Sequence, residues 1–412
     1  MLRTFRPKMT TMVVVTDGAS GAILRRLRHT FRQTFIVLSI LQASASFSEL
    51  SWAQGRAVED HNPPKISLSV LAKLDHPEAS AIAWSPDGKY LVSTGLLGPG
   101  TTFLRYTKNY VAVWDVFAKR IVGKTERDNA ASDRALGFAA DGTRVLFAHP
   151  PNPPATAALS IWNVERGVIE GYVEGPYPAS VPRAITHNTV SIIATTQFGQ
   201  TLAAIFNAHR PGDPIWILDK ESLQVRSTLA TPQTLIRSAA LSSDGRWLAL
   251  GRYDGQITIL DLSRAATHLT FKAHGPAVGA VAFSPDNSRL VSASGTPRRI
   301  VDQKSGAMID VRDEDPLRVW DVATGKFLKS YRGDFDSIWS VAWSPNGRYI
   351  ATAGKGSRMR IWDALSPVLL SASTEFKREA LAVSFESHTG HLAASGTDGI
   401  IILEINEKAK AR

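Results

Sequence analysis

His149, His209 and His274 are the side chains best suited to hold a metal or pass a proton. They are far apart in the chain. None belongs to a His-x-x-x-His or Glu-x-x-His pair, the spacings that put two ligands on one face of a helix. His388 and His391 flank a turn, where a surface role is the simpler expectation. Nucleophilic chemistry has no better foothold, because the strained Gly-x-Ser-x-Gly elbow does not occur. Leu97-Gly98-Pro99-Gly100 is a loop tip and not the strand-to-helix turn that cradles phosphate. With no Cys, disulfides, thiol catalysis, cluster ligation and covalent c-type haem attachment are excluded. Neither a metal nor another cofactor is expected, and no residue is assigned a catalytic role.

The elements that would position any site are written as a repeat. Ile-Ala-Trp-Ser-Pro-Asp-Gly-Lys-Tyr-Leu at 82–91 returns as Val-Ala-Trp-Ser-Pro-Asn-Gly-Arg-Tyr-Ile at 341–350. Four-residue turns end at Gly88, Gly142, Gly199, Gly245, Asn287, Gly347 and Gly390, separated by 54, 57, 46, 42, 60 and 43 positions. Pro presets φ in such turns, and Asp, Asn and Gly tolerate the geometry. Each unit later reaches a strand ending Val113-Trp114-Asp115, Ile161-Trp162-Asn163, Ile217-Leu218-Asp219, Ile259-Leu260-Asp261, Val319-Trp320-Asp321, Ile361-Trp362-Asp363 or Ile402-Leu403-Glu404. Four short strands per unit bury too little alone, so the units must stack. The last unit supplies three strands, and residues 66–74 form a strand with no unit of their own. The expected fold is all-β: a seven-bladed propeller of four-stranded antiparallel blades, the last completed by the N-terminal strand.

Over about residues 66–407 the chain resembles the WD-repeat family. The resemblance implies a hydrogen-bonded tetrad of His, Ser or Thr, Asp and Trp within a blade. His274, Ser292, Asp315 and Trp320 match it in the fifth unit, and His76, Ser93 and Trp114 match three of its members in the first. The sixth has Asp334 in the His position beside Thr352 and Trp362. The fourth keeps Asp254 but has Leu250 and Leu260. The repeats are divergent. The resemblance also implies an interaction module, a reading that accounts for most Trp residues by packing.

What the repeat does not explain is the matter between second and third strands. Enlarged segments occur at 96–109, with Arg105, Tyr106 and Asn109; at 148–157, with His149; at 207–214, with His209 and Arg210; and at 295–315, with Arg298, Arg299 and Arg312. Loops held by a rigid scaffold commonly carry function, and Tyr and Arg are favoured at binding hot spots. These nine residues are the candidate partner-binding set.

Residues 1–53 differ from the rest. Seven basic and two acidic residues precede or flank the apolar run Phe35–Leu41, and small residues follow, with possible cleavage after Ala45 or Ala53. That order is that of a secretory signal peptide. The domain plan is a leader at 1–53, a linker at 54–65, the propeller at 66–407 and a basic tail at 408–412. The leader holds +5 of the formal net charge of +10. The remainder is only mildly basic, which indicates no specific nucleic acid. No stretch after the leader is long enough to span a membrane. The sequence thus reads as an exported, monomeric, non-catalytic protein-interaction scaffold, periplasmic or secreted, with a cytoplasmic location as the alternative. The rival function is a propeller enzyme, lactonase- or quinoprotein-like, with its site at the central channel. Such a site needs a ring of polar ligands, whereas first strands here begin at small residues such as Ser80, Ala135, Ser238, Ala277 and Ser337.

Overall fold

The recurring turn is a small hydrogen-bonded device. Ser85 Oγ donates to Asp87 Oδ1 at 2.6 Å and accepts the Tyr90 N–H at 2.8 Å, while Asp87 Oδ1 accepts the Lys89 N–H at 3.1 Å. Ser242–Asp244, Ser284–Asp286 and Ser344–Asn346 repeat it. The fourth position takes positive φ, at 71° for Gly88 and 59° for Asn287, which is why Gly or Asn stands there. The turn therefore satisfies its own polar groups and fixes the register of the two strands it joins.

The structure, a computed structural model, describes residues 63–407 apart from 77, 98–107, 129–135, 149–156, 176–189, 197–199, 207–213, 231, 233, 296–297, 302–307, 312, 314, 334–336, 357 and 374–375. It contains seven four-stranded antiparallel sheets, the blades of a β-propeller. Blade one runs Ala79–Trp84, Tyr90–Leu97, Lys108–Asp115 and Arg120–Asp128, here called strands a to d. Blade three is Val190–Thr195, Thr201–Phe206, Pro214–Asp219 and Val225–Ala230, and blade five is Val278–Phe283, Arg289–Ser294, Leu317–Asp321 and Phe327–Tyr331. Strands a and b slip register by one residue near the start of strand a, as between Ala79 and Ala81 and between Ile338 and Ser340. Such bulges add the twist a blade needs.

Closure is as expected. Ile66–Leu74 pairs antiparallel with Gly399–Glu407, from Ile66 opposite Glu407 to Leu74 opposite Ile400, and completes blade seven. Tyr349 Oη donates to Glu407 Oε1 at 2.5 Å and Arg348 bonds the same carboxylate, which ties that strand to blade six. The ends of the propeller thus share one sheet, and no unpaired edge separates last blade from first.

The core lies between blades. Each strand-c Trp packs on strand d of the blade before it. Trp320 meets Phe271 at 4.9 Å between ring centroids, and Trp362 meets Tyr331 at 5.7 Å. A Cβ on Gly123 would come within 2.7 Å of Trp162, so that strand d must carry Gly to admit the indole. Trp114 follows the same rule against Ala72 and Leu74, which come from the N-terminal closing strand.

Two segments differ from the sequence reading. The segment between strands b and c of blade five includes a hairpin, Arg298–Val301 paired with Met308–Val311, that forms a separate two-stranded sheet. The seventh a–b turn starts at Glu386, one residue before the Ser387–Gly390 reading: Glu386 N–H donates to His391 O as Ser85 N–H donates to Tyr90 O. There the buried Glu386 carboxylate replaces both turn side chains, accepting the N–H groups of His388 and Thr389 and the Thr389 hydroxyl. Burial works to raise its pKa, but these bonds outweigh it and hold it at about 2.

Candidate functional site

The polar cluster of blade five forms around His274, which sits in the connection between strand d of blade four and strand a of blade five. Its Nδ1 lies 2.7 Å from Asp313 Oδ2, and its Nε2 lies 2.7 Å from Ser292 Oγ. Trp320 Nε1–H donates to the same hydroxyl at 2.8 Å. A neutral imidazole has one N–H, and Asp313 can only accept when ionised. Nδ1 therefore carries the proton, and Nε2 accepts from Ser292. Burial lowers the His274 pKa against the opposing pull of Asp313, which favours the neutral ring. Burial works to raise the Asp313 pKa, but the His274 hydrogen bond, the Gly275 N–H and Arg318 bring it below the ordinary value.

The acid of this tetrad is Asp313, which corrects the assignment of Asp315. Asp315 instead accepts from Ser330 Oγ at 3.0 Å and from Arg332 Nε at 3.1 Å. The hairpin inserted before it hides the count from strand b, so spacing alone could not choose between the two. Counting back from strand c does not separate them either: Asp254 stands six positions before Leu260 in blade four, whereas Asp313 and Asp315 stand seven and five before Trp320.

The other blades keep parts of the cluster. In blade one, Trp114 Nε1–H donates to Ser93 Oγ at 2.9 Å, and Ser93 donates to Ala112 O. His76 is buried, and neither ring nitrogen has a hydrogen-bond partner among the described residues. It packs edge-on against Tyr110 at 5.1 Å, and burial lowers its pKa to about 4. In blade six Trp362 Nε1–H donates to Thr352, while Asp334 lies outside the described residues. In blade four, Asp254 pairs with Arg252 at 2.6 Å. These clusters lock strands b and c together, and none of their residues lines the cavity at the end of the central channel.

Of the partner-binding candidates, Arg105, Tyr106, His149, His209, Arg210 and Arg312 lie outside the described residues. Asn109 lies in strand c of blade one, and Arg298 and Arg299 lie in the added hairpin, opposite Val311 and Asp310. The structure brings that last pair into a defined element that the sequence reading left as loop.

A cavity of about 360 Å³ opens at the end of the central channel where the a–b turns lie. Its wall includes Trp84, Phe138, Thr195, Lys220, Trp343 and Phe385. Among the described residues no cluster of three His, Asp or Glu is placed to hold a metal. Also among them, no helix is long and apolar enough to cross a membrane.

The model of the family described as WD domain, G-beta repeat matches residues 69–98, 266–296 and 325–363. The middle and last of these stretches each run from a strand d through the next a–b turn, and the first adds the closing strand to the start of blade one. Three stretches of the chain match the WD40 repeat. The chain is similar to protein transport protein sec13 of Aspergillus fumigatus, 30% identical over 188 residues, 43% of this chain and 60% of the relative. It is similar to a WD repeat-containing protein of Synechocystis, 26% identical over 142 residues, 34% of this chain and 36% of that one. Autophagy-related protein 16 of Arabidopsis thaliana is 24% identical over 208 residues, 50% of this chain and 34% of the relative. The chain spans about 60% of the length of the transport-protein relatives it matches.

Proposed function

We propose that this WD-repeat propeller is a non-catalytic protein-interaction scaffold acting outside the cytoplasm. The observation that carries the reading is the hairpin Arg298–Val301 and Met308–Val311, inserted between strands b and c of blade five and paired with no blade strand. It adds nothing to a blade sheet, yet its two strands pair with each other beside a rigid base. A rigid base loses little entropy when a partner binds its loops, so a modest contact area suffices. The relatives named for transport and autophagy support an interaction role in kind, without naming a partner for this chain. The basic, apolar and small-residue order of residues 1–53 supports export, to a periplasm or beyond.

Cell fractionation followed by in situ cross-linking tests both parts. The expected result is a processed form outside the cytoplasm, cross-linked to a partner that is lost when 298–312 is replaced by a short turn. Unprocessed protein confined to the cytoplasm would overturn export. Capture that survives loss of the hairpin would overturn its role in binding.

A further inference from the structure

Blade three breaks two rules that the other blades keep, and both breaks meet at one place. The residue after strand c donates its N–H to the residue before strand b in six blades: Val116, Val164, Lys220, Leu262, Val322 and Ala364. Five of these six are apolar. Lys220 alone is charged, and it is only 5% exposed. The final residue of strand a follows a second rule. It is Trp84, Phe138, Leu241, Phe283, Trp343 or Phe385 in six blades, and Thr195 in blade three, as strand register places them. The large apolar side chain is missing in the same blade that carries the lysine.

Lys220 and Thr195 both line the channel cavity. Lys220 Nζ donates to Thr196 O at 3.0 Å, which uses one of its three N–H groups. Among the described residues no carboxylate pairs with its charge. A buried ammonium without a counter-ion is costly, and burial lowers its pKa accordingly. The apolar residues at the equivalent positions show that the fold does not need a lysine there. Thr195 and Ser384 add hydroxyls to the wall, and Trp84, Phe138, Trp343 and Phe385 add apolar surface. About 360 Å³ falls in the range of cavities that hold small organic ligands.

We propose that this mouth of the channel binds a small organic carboxylate, with the Lys220 ammonium as its counter-ion and the aromatic wall around its carbon skeleton. The site is distinct from the blade-five hairpin and does not depend on it.

The test titrates the full chain with acetate, benzoate and succinate, each beside its neutral amide, by calorimetry and by total tryptophan fluorescence, to which Trp84 and Trp343 of the cavity wall contribute. At least one acid should bind saturably and its amide about tenfold more weakly or worse, the effect of one charge-assisted hydrogen bond. Lys220→Met should lose that acid to a similar degree. It should also keep or raise the thermal midpoint, since it restores the apolar residue found in five blades. The proposal is overturned if no acid saturates, if the amide binds as well, or if Lys220→Met retains affinity. A Lys220→Met chain with a lowered midpoint would show the lysine to be structural and would overturn it too.

Discussion

Asp313 Oδ2 lies 2.7 Å from His274 Nδ1, although the two are 39 positions apart in the chain with both strands of a hairpin between them. The contact anchors the point where the inserted hairpin rejoins blade five. Asp313→Ala should leave the Nδ1–H without its acceptor and cost roughly 2–3 kcal/mol. Asp315→Ala removes a partly exposed pair with Arg332 and should cost under about 1 kcal/mol. Chemical denaturation of the two variants measures the difference, and equal losses would contradict the assignment.

His76 makes folding sensitive to acid. Its pKa is about 4 in the folded chain against an ordinary value of 6.5. Above 6.5 it is neutral in both states. As pH falls from 6.5 to 4 the unfolded chain takes up a proton that the folded chain refuses, so stability drops by roughly 3 kcal/mol and then levels. His274, also lowered by burial, adds in the same direction. His76→Leu should flatten part of this decline when unfolding is followed across that pH range, and an unchanged slope would count against the histidine as its source.

Gly123 is required by its neighbour and not by its backbone. A Cβ there would stand 2.7 Å from Trp162 Cζ2. Gly123→Val should overpack the junction of blades one and two and destabilise by about 1–3 kcal/mol. Gly171, whose added Cβ would meet Ile161 at an ordinary 3.7 Å, is the control. Thermal melts of Gly123→Val and Gly171→Val should separate clearly.

The closing strand has a buried and an exposed side within a few residues. Leu74 is 3% exposed and belongs to the cluster with Trp114, whereas Leu71 is 37% exposed. Leu74→Ala should cost about 2–5 kcal/mol and Leu71→Ala under about 1 kcal/mol. Equal effects on denaturant midpoint would mean that the strand does not seal the ring as the structure has it.

The repeat itself carried most of the architecture. Turn chemistry and period-two alternation act over a few residues, so blade count, the a–b turns and the strand-c Trp positions were legible from residue order alone. The spare strand at 66–74 was legible for the same reason, because a three-stranded last unit leaves one place for it. Tertiary structure decided which atoms meet across long loops. It chose Asp313 over Asp315, moved the seventh turn to Glu386, left His76 without a partner among the described residues, and put Lys220 into the wall of the channel. None of these follows from local pattern. Lys220 follows a strand-c Asp in an exposed-looking turn, and only the packing of seven blades around one axis turns that position inward and strips it of water.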